Sequence, residues 1–300
     1  MKRRAPGYSL RRKESTVSRK DLKNKPLVEA IMEIRWHLVQ PPVGGHGPAQ
    51  TVLPALDPHY RPPQLIPPML PALDPHFHLL LGRLFDRLRK EYPVHEPLPT
   101  ATLPDGMLGQ VVQHRFRSAK DGWPLVQVGP GVFTVNDTHH YTWTDFQQRT
   151  KDAVVKLYDA HPSIAEFRIR NLVLRYIDAM EYNYGDENAF AFLSNKMKIG
   201  LTLPGALFQD TGVESRPQGF SWQTTFRCSE PPGRVHLSLA TGQKEDKPAI
   251  LWETAIQSAG DDLPSMPDGF PAWIDAAHEI TDDWFFKLIE GELERKFEGE

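Results

Sequence analysis

Residues 27–38 alternate apolar and polar positions. Val28, Ala30, Met32, Ile34, Trp36 and Leu38 fall on one side, with Glu29, Glu33, Arg35 and His37 on the other beside Leu27 and Ile31. A period of two over this length predicts a half-buried strand. The period then changes. Phe77, Leu80, Leu81, Leu84, Phe85 and Leu88 recur at helical spacing and predict a helix over 76–91. Three short strands are expected at 108–118, 124–129 and 132–136, the last two joined across Gly129-Pro130-Gly131. A second helix is predicted over 143–160, with Trp143, Phe146, Ala153, Val154, Leu157 and Tyr158 inward, stopping before Pro162.

The same order then recurs. A long strand is predicted at 167–182, where the unbroken Leu172-Val173-Leu174 calls for burial on both faces. A short helix at 187–197 precedes strands at 218–228, 233–240 and 248–257. A final helix is expected over 271–297, with Pro271 near its first position and Ile274, Ala277, Trp284, Phe285, Leu288, Ile289 and Leu293 inward. Each half, 26–161 and 162–300, therefore reads strand, helix, three strands, helix. The expectation is an α+β protein, possible as a pseudo-duplication, each half an antiparallel sheet with helices on one face. That order resembles duplicated saddle-shaped folds of the TATA-binding-protein type. In such a fold the two first strands meet at the centre, where Glu29 and Glu33 would face Arg168 and Arg170 as cross-strand ion pairs.

Two segments stand outside this pattern. Residues 41–75 hold eleven prolines and three glycines, which exclude a regular helix or central strand. Within them Leu53-Pro54-Ala55-Leu56-Asp57-Pro58-His59-Tyr60 returns as Leu70-Pro71-Ala72-Leu73-Asp74-Pro75-His76-Phe77. Two copies are too few for a solenoid and point to a local duplication in an extended surface loop. Residues 1–25 carry ten basic side chains against Glu14 and Asp21, a net +8, so the overall −3 leaves −11 on residues 26–300. With few large apolar residues, this tail is expected to be disordered. Arg3, Arg4, Arg11, Arg12, Lys13, Arg19 and Lys20 make it a candidate phosphate-binding arm, the alternatives being a solubilising tail or one resting on the acidic body.

Composition removes several classes. The single cysteine, Cys228, excludes an internal disulfide, a multi-cysteine zinc cage and a cysteine-ligated cluster. No run of 18 apolar residues offers a membrane span, and the basic start lacks the apolar stretch of a secretory signal. A cytoplasmic protein with no membrane partner is expected. Catalytic signatures are also missing: no Gly-x-Ser-x-Gly elbow, Gly-x-Gly-x-x-Gly turn or Gly-Lys-Ser phosphate loop occurs. Among twelve histidines, His76 with His78, His139 with His140, and His59 have no well-spaced third ligand, so no metal or cofactor is expected. Arg227 beside Cys228 is the arrangement that lowers a thiol pKa, but a buried, inert thiol is the ordinary outcome. Phe220, Trp222 and Phe226 share one strand face, either as core beneath helices or as a platform for bases. Glu29 and Glu33, four residues apart on a strand, stand roughly 13 Å apart, too far for a glycosidase pair. Glu33 and Arg35 are near neighbours and should form a structural ion pair.

The opening Asn24-Lys25-Pro26-Leu27-Val28-Glu29-Ala30-Ile31-Met32-Glu33-Ile34-Arg35-Trp36 resembles that of a sporadically distributed prokaryotic family of uncharacterised proteins. Residues Leu125 to Asn136, Leu174-Arg175-Tyr176-Ile177-Asp178 and Trp273-Ile274-Asp275-Ala276-Ala277-His278-Glu279 are similar to the same family. Lys25 stands where the family has a proline, and Trp36 where it has phenylalanine. The resemblance implies no reaction, substrate or cofactor; its scattered distribution suggests mobile genes such as those of phage defence or toxin–antitoxin pairs. The expected function is a non-enzymatic binding or regulatory protein, engaging a protein partner through the sheet face or the Pro-rich loop. Binding candidates are Glu29, Glu33, Arg35, Arg168, Arg170 and Arg175. Two alternatives stay open: nucleic-acid binding through the basic arm, and an enzyme of unknown class.

Overall fold

The computed structural model describes residues 22–39, 73–103, 110–138, 140–185 and 187–300. Among them nine strands form one antiparallel sheet: β1 (Leu27–Trp36), β2 (Val94–Pro97), β3 (His114–Arg117), β4 (Leu125–Gly129), β5 (Val132–Asp137), β6 (Ile169–Glu181), β7 (Ser221–Ser229), β8 (Pro232–Lys244) and β9 (Lys247–Ala259). Their spatial order is β2-β3-β4-β5-β1-β6-β9-β8-β7. The two long-range partners β1 and β6 thus meet at the centre, with Met32 opposite Leu174. The helices are α1 (Phe77–Leu88), α2 (Trp143–Ala160), α3 (Ala189–Lys196), α4 (Phe270–Ile289) and α5 (Glu292–Glu298). None of the described helices is long and apolar enough to cross a membrane. The α+β class is therefore as expected.

One face of the sheet is apolar. Phe116, Val126, Val135, Met32, Leu174, Ile256 and Val235 follow one another in register from β3 to β8, and all are buried. They pack with Leu80, Leu84 and Leu88 of α1, Val154 and Leu157 of α2, and Trp273 and Ile274 of α4. A second cluster joins Leu239, Ile250 and Trp252 to Phe192 and Leu193 of α3 and to Leu293 and Phe297 of α5. The sheet positions touched by helices all lie on this side, because the period-two alternation sends every second residue there.

Local chemistry explains the ends. Thr142 caps α2, its Oγ1 accepting from the Asp145 amide at 3.3 Å while its hydroxyl donates to the Asp145 carboxylate at 2.9 Å. His161, before Pro162, is extended and closes α2. Asn188 caps α3 by accepting from the Phe190 amide at 2.9 Å. Gly131 turns the β4–β5 hairpin at φ +72°, where a side chain would also strike Leu38 and Gln110.

Several expectations are corrected. Of the strand expected at 108–118, the described residues pair over His114–Arg117, and a further edge strand, Val94–Pro97, lies outside it. The last helix is two helices, broken at Gly291, which adopts φ +105°. The helix expected over 76–91 ends at Leu88. Val28, on the apolar side of the alternation, is 38% exposed. The body already includes Leu22, which is buried, and the Asn24 amide donates to the Phe297 carbonyl at 2.9 Å, so order begins before residue 26. The basic residues from Arg3 to Lys20, and nearly all of the Pro-rich segment with its repeat, lie outside the described residues.

Candidate functional site

The face that carries none of the described helices, the helix-free face, is polar, because the alternate residues of the same strands point there. Arg115, Gln127, Thr134, Glu33, Val173, Gln257 and Arg234 run across it in register. Between β1 and β7 this face holds a groove of about 620 Å³ lined by Glu33, Arg35, Arg170, Arg175, His236 and Glu253 among others. Arg35 grips Glu33 with two hydrogen bonds, Nε to Oε1 at 2.7 Å and Nη2 to Oε2 at 3.1 Å. Its Nη1 also donates to the Gln110 carbonyl at 3.1 Å. Arg175 lies 3.4 Å from Glu253 as a charge contact rather than an aligned hydrogen bond. Further along the same face, Arg117 donates to Glu96 at 2.9 Å, which holds that carboxyl below its ordinary range, and Arg227 donates to Asp262 at 2.7 Å.

Four of the six binding candidates therefore meet in one groove, though not in the expected pairs. Glu33 lies opposite Val173 and Glu29 opposite Ile177, so the antiparallel register carries Arg170 to the irregularity at the Arg35–Trp36 end of β1 and Arg168 beyond that end. The proposed cross-strand ion pairs do not form. Arg170 donates to the Gln110 side chain at 3.3 Å, and the Arg168 carbonyl accepts from the His37 amide at 2.9 Å. Glu29 accepts from Asn136 at 2.7 Å, and burial raises its pKa. The Glu33–Arg35 pair is as expected.

A second concavity lies on the opposite side of the sheet, beneath α4. It measures about 370 Å³. β6 contributes Tyr176 and Asp178, β9 contributes Thr254, and the turn into α2 contributes Tyr141 and Trp143. From α4 come His278, Thr281, Asp282, Phe285 and Phe286, whose spacing places them on one helical face. Lys25, Pro26 and Leu27 complete one side. A hydrogen-bonded chain runs along the wall: Tyr141 Oη to Tyr176 Oη at 2.9 Å, then Tyr176 Oη to His278 Nδ1 at 3.0 Å. The Trp143 ring stacks on the His278 imidazole at 3.7 Å and 14°. Burial pushes the phenols of Tyr141 and Tyr176 well above their ordinary range, so both remain neutral donors.

Asp178 is the unusual member. It is 3% exposed, lines the cavity, and no hydrogen-bond donor among the described residues reaches its carboxyl. Desolvation pushes its pKa up to about 8, opposed only in part by the charge of Lys244. Lys244 itself donates to the Ala179 carbonyl at 3.3 Å. None of the six sequence candidates is here. A signal was nevertheless present: Asp178 takes an inward turn in the alternation Leu172, Leu174, Tyr176, Asp178, Met180, and His278 and Thr281 interrupt the apolar stripe of the last helix.

The remaining candidates have ordinary settings. Cys228 is buried. Phe226 packs edge-on to Trp284, and Phe220 and Trp222 join the second core cluster, so these rings lie on the helix side. His76 bonds Glu166 at 2.8 Å; His59 and His139 lie outside the described residues. Among the described residues no three His, Cys, Asp or Glu side chains gather as a metal requires. In comparisons with protein-family models, curated proteins and solved structures, none matches this chain.

Proposed function

We propose that this is a non-enzymatic binding protein that engages a protein partner on the helix-free face of its sheet. The observation carrying this reading is that several arginines of the face are matched to acids, with Arg35 on Glu33, Arg117 on Glu96 and Arg227 on Asp262, while Arg170 bonds the Gln110 amide. Between them lie amides and hydroxyls such as Gln223, Thr225 and Gln257. A surface neutralised in this way suits the mixed donors and acceptors of a polypeptide better than a row of phosphates, which calls for unpaired cations. The nucleic-acid alternative then rests on the basic arm alone. The proposal includes cytoplasmic residence and, through the resemblance noted above, a role in a defence or toxin–antitoxin system.

We also propose that the chain is an internal duplication. The strand order supports this: outward from the central β1–β6 pair, β5, β4 and β3 on one side answer β9, β8 and β7 on the other. Among the described strands β2 has no counterpart.

Gln223 and Thr225 are exposed and line the groove, so arginine at both fills it without disturbing the core. Full-length protein purified from its host at low salt is expected to carry a stoichiometric protein, absent from the Gln223→Arg/Thr225→Arg variant while its circular dichroism is unchanged. Nucleic acid in place of protein, or a partner that the double variant retains, would overturn the reading.

A further inference from the structure

We infer that the cavity beneath α4 is a binding site for a small organic ammonium ion with an apolar body, held with its nitrogen on Asp178. The site is distinct from the groove, on the other side of the sheet. Its walls carry five aromatic rings, those of Tyr141, Trp143, Tyr176, Phe285 and Phe286. Ring faces attract cations, and more strongly where water is excluded. At the floor stands a carboxyl that folding has buried without any donor among the described residues.

Buried polar groups are ordinarily satisfied. A carboxyl left without a donor, yet opening into a cavity, lacks a partner that a ligand can bring. A neutral ligand would supply one hydrogen bond. An ammonium ion supplies hydrogen bonds together with the charge that lets the carboxyl ionise, and the rings favour the same charge. Lys25 of the lining directs its ammonium to the Tyr141 carbonyl at 3.1 Å. The groups bearing on Asp178 from its surroundings are Lys244 on β8, Tyr176 on its own strand, His278 and Asp282 on α4, and Lys25 and Tyr141 at the side. Of these the imidazole and phenol are already occupied with one another, which leaves Asp178 and the neighbouring Thr254 hydroxyl to receive the ligand. The volume admits one ring and a short chain.

The test uses the full chain and isosteric probes of three charges: 2-phenylethylamine, 2-phenylethanol and 3-phenylpropanoate, titrated by calorimetry and by ligand-observed NMR. The amine is expected to bind at least about tenfold tighter than either isostere. Because an ionised Asp178 is the form that receives it, amine affinity should rise between about pH 6 and about pH 8 with release of a proton. Asp178→Asn is expected to abolish the preference for charge, and Trp143→Leu to weaken all three probes. The wild-type comparison needs no variant, so it decides the matter even if a substitution fails to fold. Equal binding of the alcohol, tighter binding of the propanoate, a charge preference that survives in Asp178→Asn, or no binding of the amine would each overturn the assignment.

Discussion

A carboxyl that is 3% exposed and lacks a donor among the described residues, as Asp178 does, leaves its mark on stability as well as on binding. Unfolded, it loses its proton near the ordinary carboxylate value of about 4. Folded, burial holds the proton until about pH 8. Between those limits the folded state binds one proton more than the unfolded state, so stability is fully present at the acidic end and falls as pH rises. The slope is at most about 1.4 kcal/mol per pH unit. Asp178→Asn is expected to remove it, so that the variant gains on the wild type from about pH 5 to about pH 8 in urea titrations. A constant difference across that window would show that Asp178 ionises normally. The Glu33–Arg35 contact, by contrast, is a neighbour pair on one strand and was legible in the sequence, since residues two apart share a face. Asp178 was hidden only in part: the alternation along β6 shows that it turns inward, but not that this inward position opens on a cavity.

At the scale of the element, the long periodic segments matched well. Helix α2 occupies the predicted 143–160, and β6 lies inside 167–182, with Leu172, Val173 and Leu174 all buried. Weakly patterned elements did not. Strand β2 is four residues long, has only Val94 as a strand-favouring residue and ends in Pro97, so nothing in its composition marks pairing. The break between α4 and α5 was concealed because Leu288, Leu293 and Phe297 keep near-helical spacing across it. Gly291 sits there at φ +105°, ψ −110°, outside the region open to other residues. Gly291→Ala is accordingly expected to destabilise the fold by about 1–3 kcal/mol in urea unfolding. An unchanged midpoint would mean that α5 can re-seat without that bend.

At the scale of the molecule, the two halves are joined through the β1–β6 pair and by α4, whose Trp284 packs against both core clusters. One continuous sheet with shared helices should unfold as a unit. Met32, fully buried opposite Leu174, lies at this seam. Met32→Ala is expected to lower stability by about 2–5 kcal/mol while tryptophan fluorescence and circular dichroism keep a single, coincident transition. Separate transitions would show that the halves are independently stable.

The identity of the major strands and helices, the apolar face of the sheet and the Glu33–Arg35 pair follow from the sequence by itself, because each depends on residues within one or two turns or pleats of one another. The register of β1 against β6, which moved Arg168 and Arg170 away from Glu29 and Glu33, was decided only in the tertiary structure. So was the meeting of Lys25, Tyr141, Tyr176, Asp178, Thr254 and His278 around one cavity. Those residues are spread over most of the chain, and local periodicity states which face a side chain takes but not which distant side chain it will face.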